Sequence, residues 1–169
     1  MLGVFCSAMI YHDTHRDFWH LRWSGSKFLG TTFLLGAATT LLIAASVGGE
    51  AVRLIPVLAA ITALAGALKL ATELPVIRHL QTEDWSPLYK TALLLHGPFG
   101  LLHRWRIGLG VAGGVALPLW LALDRFTDSS TAWLATALIF AMTLAGEWIE
   151  RRLFFTAVQP VKMPGGVSA

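Results

Sequence analysis

Lys69 and Glu73 stand four residues apart, as do Glu147 and Arg151, so on a helix each pair shares one face. Both pairs fall toward the ends of strongly apolar stretches. An ionisable group there is costly unless it is paired or faces a cavity, which makes it a functional candidate by default. Arg106 opens another apolar run, and His12, Asp13 and Arg16 lie in the polar segment before the first one. The eight residues His12, Asp13, Arg16, Lys69, Glu73, Arg106, Glu147 and Arg151 are expected to form one polar cluster near a membrane interface. Such a cluster could relay protons or dock a partner subunit; the alternative is snorkelling Lys and Arg with ordinary surface ion pairs. Of the two pairs, Glu147–Arg151 has the more favourable acid-before-base order and is expected to be the structurally important one.

Other chemistries are argued against by residue type and spacing. The histidines are His12, His15, His20, His79, His96 and His103, none in the middle of an apolar run, so axial haem ligation is not expected. His12-Asp13-x-His15 has metal-like residue types, but neither helical i, i+4 spacing nor a second pair to close a tetrahedral site. A loop at the lipid headgroups accounts for it, and no metal site is expected. Cys6 is the only cysteine, which excludes an intrachain disulfide, a CxxC motif and a cysteine framework for zinc or iron–sulfur. GxSxG, HExxH and P-loop patterns are absent, and no catalytic residue is assigned to this chain.

The elements that must position these groups are read from composition. Of 169 residues, 55% are hydrophobic and 14% charged, against about 45–50% and about 25% in soluble domains. Mean hydropathy is +0.62. The uncharged runs Phe28–Val47, Leu54–Leu68, Ile107–Leu123 and Ser129–Gly146 each approach the roughly 20 residues that cross a bilayer. The fold class is therefore all-α, a polytopic transmembrane helix bundle forming a single membrane domain over residues 1–169.

Its four full spans are placed at 28–47, 52–74, 107–123 and 131–155. Gly48-Gly49 ends the first, and Pro75 ends the second. Ser86-Pro87 has the form of an N-cap followed by proline, opening an interfacial amphipathic helix over 87–96 that Gly97-Pro98 breaks. Residues 12–27 read as an aromatic-rich interfacial linker and 156–169 as a tail. Residues 1–11 are apolar and reach only about 16 Å as a helix, roughly half a bilayer core. They are expected to be the end of a helix that starts upstream, making this chain part of a longer protein. Small residues at four-residue spacing, Ala59-Ala63-Ala67, Gly110-Gly114 and Ala137-Ala141-Ala145, predict close helix packing.

The formal net charge of +3 does not point to nucleic acid, because the 13 Lys and Arg are spread over short loops. They report topology instead. Arg16, Arg22, Lys27, Arg78, Lys90, Arg104, Arg106, Arg151, Arg152 and Lys162 fall on one side, and only Arg53 and Arg125 on the other. The positive-inside rule then puts both termini and the long loop in the cytoplasm. The seven tryptophans form two belts: Trp19, Trp23, Trp85, Trp105 and Trp148 at the basic side, Trp120 and Trp133 at the other.

With these residues in view, the chain resembles the C-terminal half of the membrane anchor subunit of the dimethyl sulfoxide reductase family of molybdopterin oxidoreductases. The resemblance runs through GVFCSAMIYHDTHRDFW into KFLGTTFLLGA, then AVRLIP, HRWRIGLG and LAGEWIERRLFF. Arg53 and Pro56 before the second span, Arg106 before the third, and Ala145-Gly146-Glu147, Arg151 and Phe154 in the last match its pattern. The resemblance implies an eight-helix anchor that binds no redox cofactor of its own and is a non-catalytic subunit. It implies an iron–sulfur electron-transfer subunit and a molybdopterin catalytic subunit as partners, with menaquinol or another quinol as substrate, in anaerobic electron transport. The family's best-known quinol residues belong to the other half, so none is carried over.

Two other classes stay open on sequence grounds: a small membrane scaffold or assembly protein, and half of a dimeric transporter. A transporter needs a polar path through the midplane, where these spans carry almost no charge.

Overall fold

The structure, a computed structural model, describes residues 21–74, 87–123 and 129–157 together with Gly3, Cys6, Met9 and Ile10. Those four N-terminal residues are helical. The remaining elements are α1 (Leu21–Val47), a 3-10 turn (Gly49–Leu54), α2 (Ile55–Glu73), α3 (Pro87–His96), α4 (Gly100–Val111), a π-helical segment (Ala112–Ala116), α5 (Leu117–Leu123) and α6 (Ser129–Thr156). Among the described residues there is no strand, and four helical segments, Gly25–Val47, Gly49–Glu73, Gly100–Leu123 and Ser130–Thr156, are long and apolar enough to cross a membrane.

Local chemistry sets most of the boundaries. Gly48 and Gly49 adopt φ of 71° and 57°, a left-handed backbone that glycine enters without a Cβ penalty, and α1 stops there. The following 3-10 turn exposes the Arg53–Glu50 pair (2.9 Å), and Pro56 lies in the first turn of α2, where its missing N–H leaves no bond unmade. α3 has the expected bounds, and the Gly97-Pro98 turn after it is closed by Gly97 N–H donating to the Leu93 carbonyl (2.8 Å) and Phe99 N–H to Leu94 (3.0 Å).

Three spans differ from their expected limits. α1 begins at Leu21, so 21–27 is helix and not linker; the third span begins at Gly100, because Leu101 to Trp105 continue the helix that Gly97-Pro98 interrupts. The second span is entered through the 3-10 turn. The last span, at Ser129–Thr156, lies close to its expectation. Residues 12–20, 75–86, 124–128 and 158–169 lie outside the described residues.

α1 packs along both α2 and α6, α2 also packs on the π segment and α5, and α4 packs on α6. At the end of the bundle away from most Lys and Arg, Leu41, Ala44, Ala45, Ile55, Ala59, Leu121, Ala132 and Ile139 form an apolar core. At the basic end, Leu95, Leu153, Phe154 and Ala157 make a second cluster, joined by Phe28, Phe99, Leu102 and Ile149. Outward-facing residues include Phe33, Ile61, Leu64, Leu68, Leu134 and Leu138, the apolar exterior that a bilayer requires. The described tryptophan side chains, Trp105, Trp120, Trp133 and Trp148, are all exposed, as interface anchors should be.

The closest helix approach is between α2 and the π segment: a Cβ on Gly66 would overlap the Gly114 carbonyl oxygen. Small residues therefore do bring backbones together at Ala59, Ala63, Gly110 and Gly114, all buried, whereas Ala67, the last of the first stripe, is exposed. The third stripe does not serve this purpose. Ala141 is exposed, and α6 turns Ala132, Thr136, Ile139, Thr143 and Glu147 inward instead.

Candidate functional site

Between the two apolar clusters lies a ring of alternating charge. Lys69 Nζ contacts Glu73 Oε1 at 2.8 Å and Glu147 Oε2 at 3.0 Å. Arg106 Nη2 contacts Glu73 Oε2 at 3.0 Å and Glu147 Oε1 at 3.0 Å. Each cation thus touches both carboxylates, and three helices that are distant in sequence, α2, α4 and α6, are tied at one level. The side chains are almost withdrawn from the surface, with relative exposures of 1% for Lys69, 3% for Arg106 and Glu147, and 9% for Glu73. The ring is neutral, which is what permits four charges to sit in an apolar bundle.

α1 joins the ring through Thr31. Its hydroxyl accepts from Lys69 Nζ (3.1 Å) and lies within donating distance of Glu147 Oε2 (2.6 Å) and of the Lys27 carbonyl on its own helix (2.8 Å). Glycines make the room. A Cβ on Gly30 would stand 3.2 Å from Lys69 Cγ, one on Gly110 only 2.6 Å from Arg106 Nη1, and one on Gly146 3.5 Å from the same atom. The Lys69 stem and the Arg106 guanidinium occupy space that larger residues would fill.

A second charged contact lies one turn toward the basic end. Lys27 Nζ is 3.2 Å from Glu150 Oε1, with both side chains buried, and Lys27 also stands 5.4 Å from the Phe154 ring centroid. α1 and α6 therefore face each other through two rungs, Thr31 with Glu147 and Lys27 with Glu150. Four-residue spacing on one helix is matched by three-residue spacing on the other, as in-register antiparallel packing requires.

Of the eight residues expected in the polar cluster, Lys69, Glu73, Arg106 and Glu147 are brought together. His12, Asp13 and Arg16 lie outside the described residues. Arg151 does not join: its guanidinium stacks 3.9 Å from the Phe28 ring centroid and its nearest carboxylate is Glu150, at 3.9 Å. The expected Glu147–Arg151 pair is thus replaced by Glu147 with Lys69 and Arg106. The rotation of α6 that points Glu147 into the bundle carries Arg151 to the edge of the α1–α6 seam, where an aromatic face meets it. Thr31, Lys27 and Glu150 were not anticipated. Lys27/Thr31 at i, i+4 and Glu147/Glu150 at i, i+3 was the available signal, hidden because charges at helix ends are usually solvated.

Lys69 also borders an apolar groove of about 410 Å³ between α1 and α2, lined by Ser26, Gly30, Phe33, Ile61, Leu64 and Leu68 among others. That volume falls within the roughly 300–1,000 Å³ of small-molecule sites. An amphiphile lying there would have its apolar part against Phe33, Ile61 and Leu64 and its polar end toward Ser26, Thr72 and Lys69. Among the described residues, no group of three or more His, Cys, Asp or Glu side chains is placed to hold a metal ion.

A family model described as DMSO reductase anchor subunit (DmsC) matches residues 1–157, nearly the whole chain. No curated protein and no solved structure matches.

Proposed function

The chain belongs to the DMSO reductase anchor subunit family, and from that premise we propose that it docks an iron–sulfur subunit at its basic face and seats a quinol beside Lys69. The family makes it a multi-pass membrane anchor working with catalytic and electron-transfer subunits. The finer reading is that electrons pass from quinol through the iron–sulfur subunit to a molybdopterin catalytic subunit, and that those partners hold the redox cofactors. In this reading the membrane is the prokaryotic inner membrane, with the basic face cytoplasmic, and Lys90, Arg104, Arg151 and Arg152 lie on that face.

The observation that carries the proposal is the abutment of the apolar groove on the neutral ring through Lys69. Quinol oxidation needs an apolar seat for the ring and tail, a donor to orient an oxygen, and groups that handle protons. Phe33, Ile61, Leu64 and Leu68 supply the first, the Ser26 hydroxyl lines the same groove for the second, and Glu73 and Glu147, both held by Lys69, border the third. The apolar cluster of Leu41, Ala59, Leu121 and Ile139 closes the far half of the bundle, which favours an anchor over a transport path.

The test fills the groove. In the complete membrane-bound complex, Ala65→Trp on its wall is expected to raise the quinol KM roughly tenfold, equivalent to ~1.4 kcal/mol of lost binding. Turnover driven by a reduced dye that feeds the iron–sulfur subunit directly should persist. Parental quinol kinetics in an assembled Ala65→Trp complex would remove the seat from this groove.

A further inference from the structure

Glu150 is the least explained charged group in the bundle. Its side chain is 4% exposed, and among the described residues neither carboxylate oxygen accepts a hydrogen bond, although Lys27 Nζ stands 3.2 Å from one of them. Glu147 differs: Oε1 accepts from Arg106, and Oε2 faces Lys69 and the Thr31 hydroxyl. A buried carboxylate with spare acceptor capacity calls for a reason, since such groups are ordinarily satisfied. Its position suggests one. The two-rung ladder between α1 and α6 runs from the ring, at Thr31–Glu147, toward the basic end, at Lys27–Glu150. Residues at i and i+3 on a helix lie about 5–6 Å apart at Cβ, a gap that a side-chain rotation or one water molecule spans.

We propose that Glu150 is a proton-accepting station between the charge ring and the basic face, held in place by Lys27 and supplied across the i, i+3 gap from Glu147, whose Oε2 faces the Thr31 hydroxyl. The inference rests on the reading that quinol is oxidised beside Lys69. Oxidation breaks the two quinol O–H bonds and forms two carbonyls; two electrons leave to the partner's iron–sulfur cluster, and two protons must reach water. Each proton passes along the Glu147–Thr31 rung to the Glu150 carboxylate, which takes it up as a carboxylic acid and releases it at the basic face. Lys27 pairs with the carboxylate before uptake and after release, and the positive charge left uncompensated in between drives the proton onward. The charged groups in contact with this station are Lys27 from α1, at 3.2 Å, and Arg151 on its own helix, at 3.9 Å.

The experiment compares variants in the assembled complex with two electron sources, a quinol analogue and a reduced dye that bypasses the anchor. Glu150→Gln is expected to lower quinol-driven kcat roughly tenfold or more, within the range of general acid–base groups, while quinol KM and dye-driven turnover persist. Glu150→Asp, which keeps a carboxylate, should restore most of the rate. Parental quinol kcat in Glu150→Gln would overturn the assignment. Should Glu150→Gln fail to assemble, the double variant Lys27→Met/Glu150→Met removes both charges together and suits an apolar interior. The same comparison then decides, with a parental quinol kcat again overturning the proposal. Normal Glu150→Gln kinetics beside a raised KM in Ala65→Trp would sink the relay alone; an unchanged KM in Ala65→Trp would sink the quinol seat itself.

Discussion

Glu147 bears as much of the site as any side chain, because it holds Lys69, Arg106 and Thr31 at once. Replacing it by Ala leaves two buried cations sharing the single carboxylate of Glu73. Removing one member of a buried ion pair costs about 3–5 kcal/mol. We therefore expect Glu147→Ala to lower the yield of assembled complex sharply, and the isosteric Glu147→Gln to impair assembly or quinol oxidation. Immunoblots of membranes together with quinol-driven turnover check both. Arg151→Ala should be mild by comparison, because a half-buried cation on an aromatic face contributes about 0.5–1 kcal/mol. If Arg151→Ala proved as damaging as Glu147→Ala, the assignment of Glu147 to Lys69 and Arg106 would be wrong.

The helices meet where side chains are smallest, and the tightest of these places is Gly66 against the π segment. A π-helical turn widens the helix locally, and Gly113 and Gly114 lie within it, so α2 and α6 can approach its two sides. A Cβ on Gly66 meets backbone, which cannot rotate away, and one on Gly113 would stand 2.6 Å from Met142 Cβ. Gly66→Ala is expected to destabilise the bundle by about 1–3 kcal/mol, as overpacking does. Gly36, whose added Cβ would meet nothing within 4 Å, provides the control, and Gly36→Ala should be neutral. Thermal unfolding of the purified protein in detergent separates the two. Equal melting temperatures for both variants would contradict this packing.

The whole chain places its charged ring near one end of the bundle and its apolar core near the other. In the orientation proposed from the count of Lys and Arg, the ring end is cytoplasmic. Topology reporters inserted at Thr127, between the last two spans, and after Ala157 should therefore report opposite sides, the latter cytoplasmic. A reversed result would move the docking face to the exterior, while two reporters on the same side would contradict the four-span arrangement.

The number of spans, the helix at Pro87–His96 and four residues of the ring were legible because they depend on local quantities: apolar run length, glycine and proline punctuation, and charge inside hydrocarbon. What stayed hidden was rotation. In water an amphipathic pattern marks the inner face of a helix, but lipid is as apolar as a protein core, so the spans carry little such mark. Glu147, Glu150 and Arg151 sit within one turn of α6, and their spacing alone allowed Glu147 to pair with Arg151. The packing of α6 on α1 and α4 turned Glu147 and Glu150 inward and left Arg151 on Phe28. Sequence by itself marked Lys69, Glu73, Arg106 and Glu147 as charges at the ends of the apolar spans. Tertiary structure decided which of them meet, because that choice is made by helix rotation, and helix rotation is set by small-residue contacts such as Gly66 on Gly114, far apart in the chain.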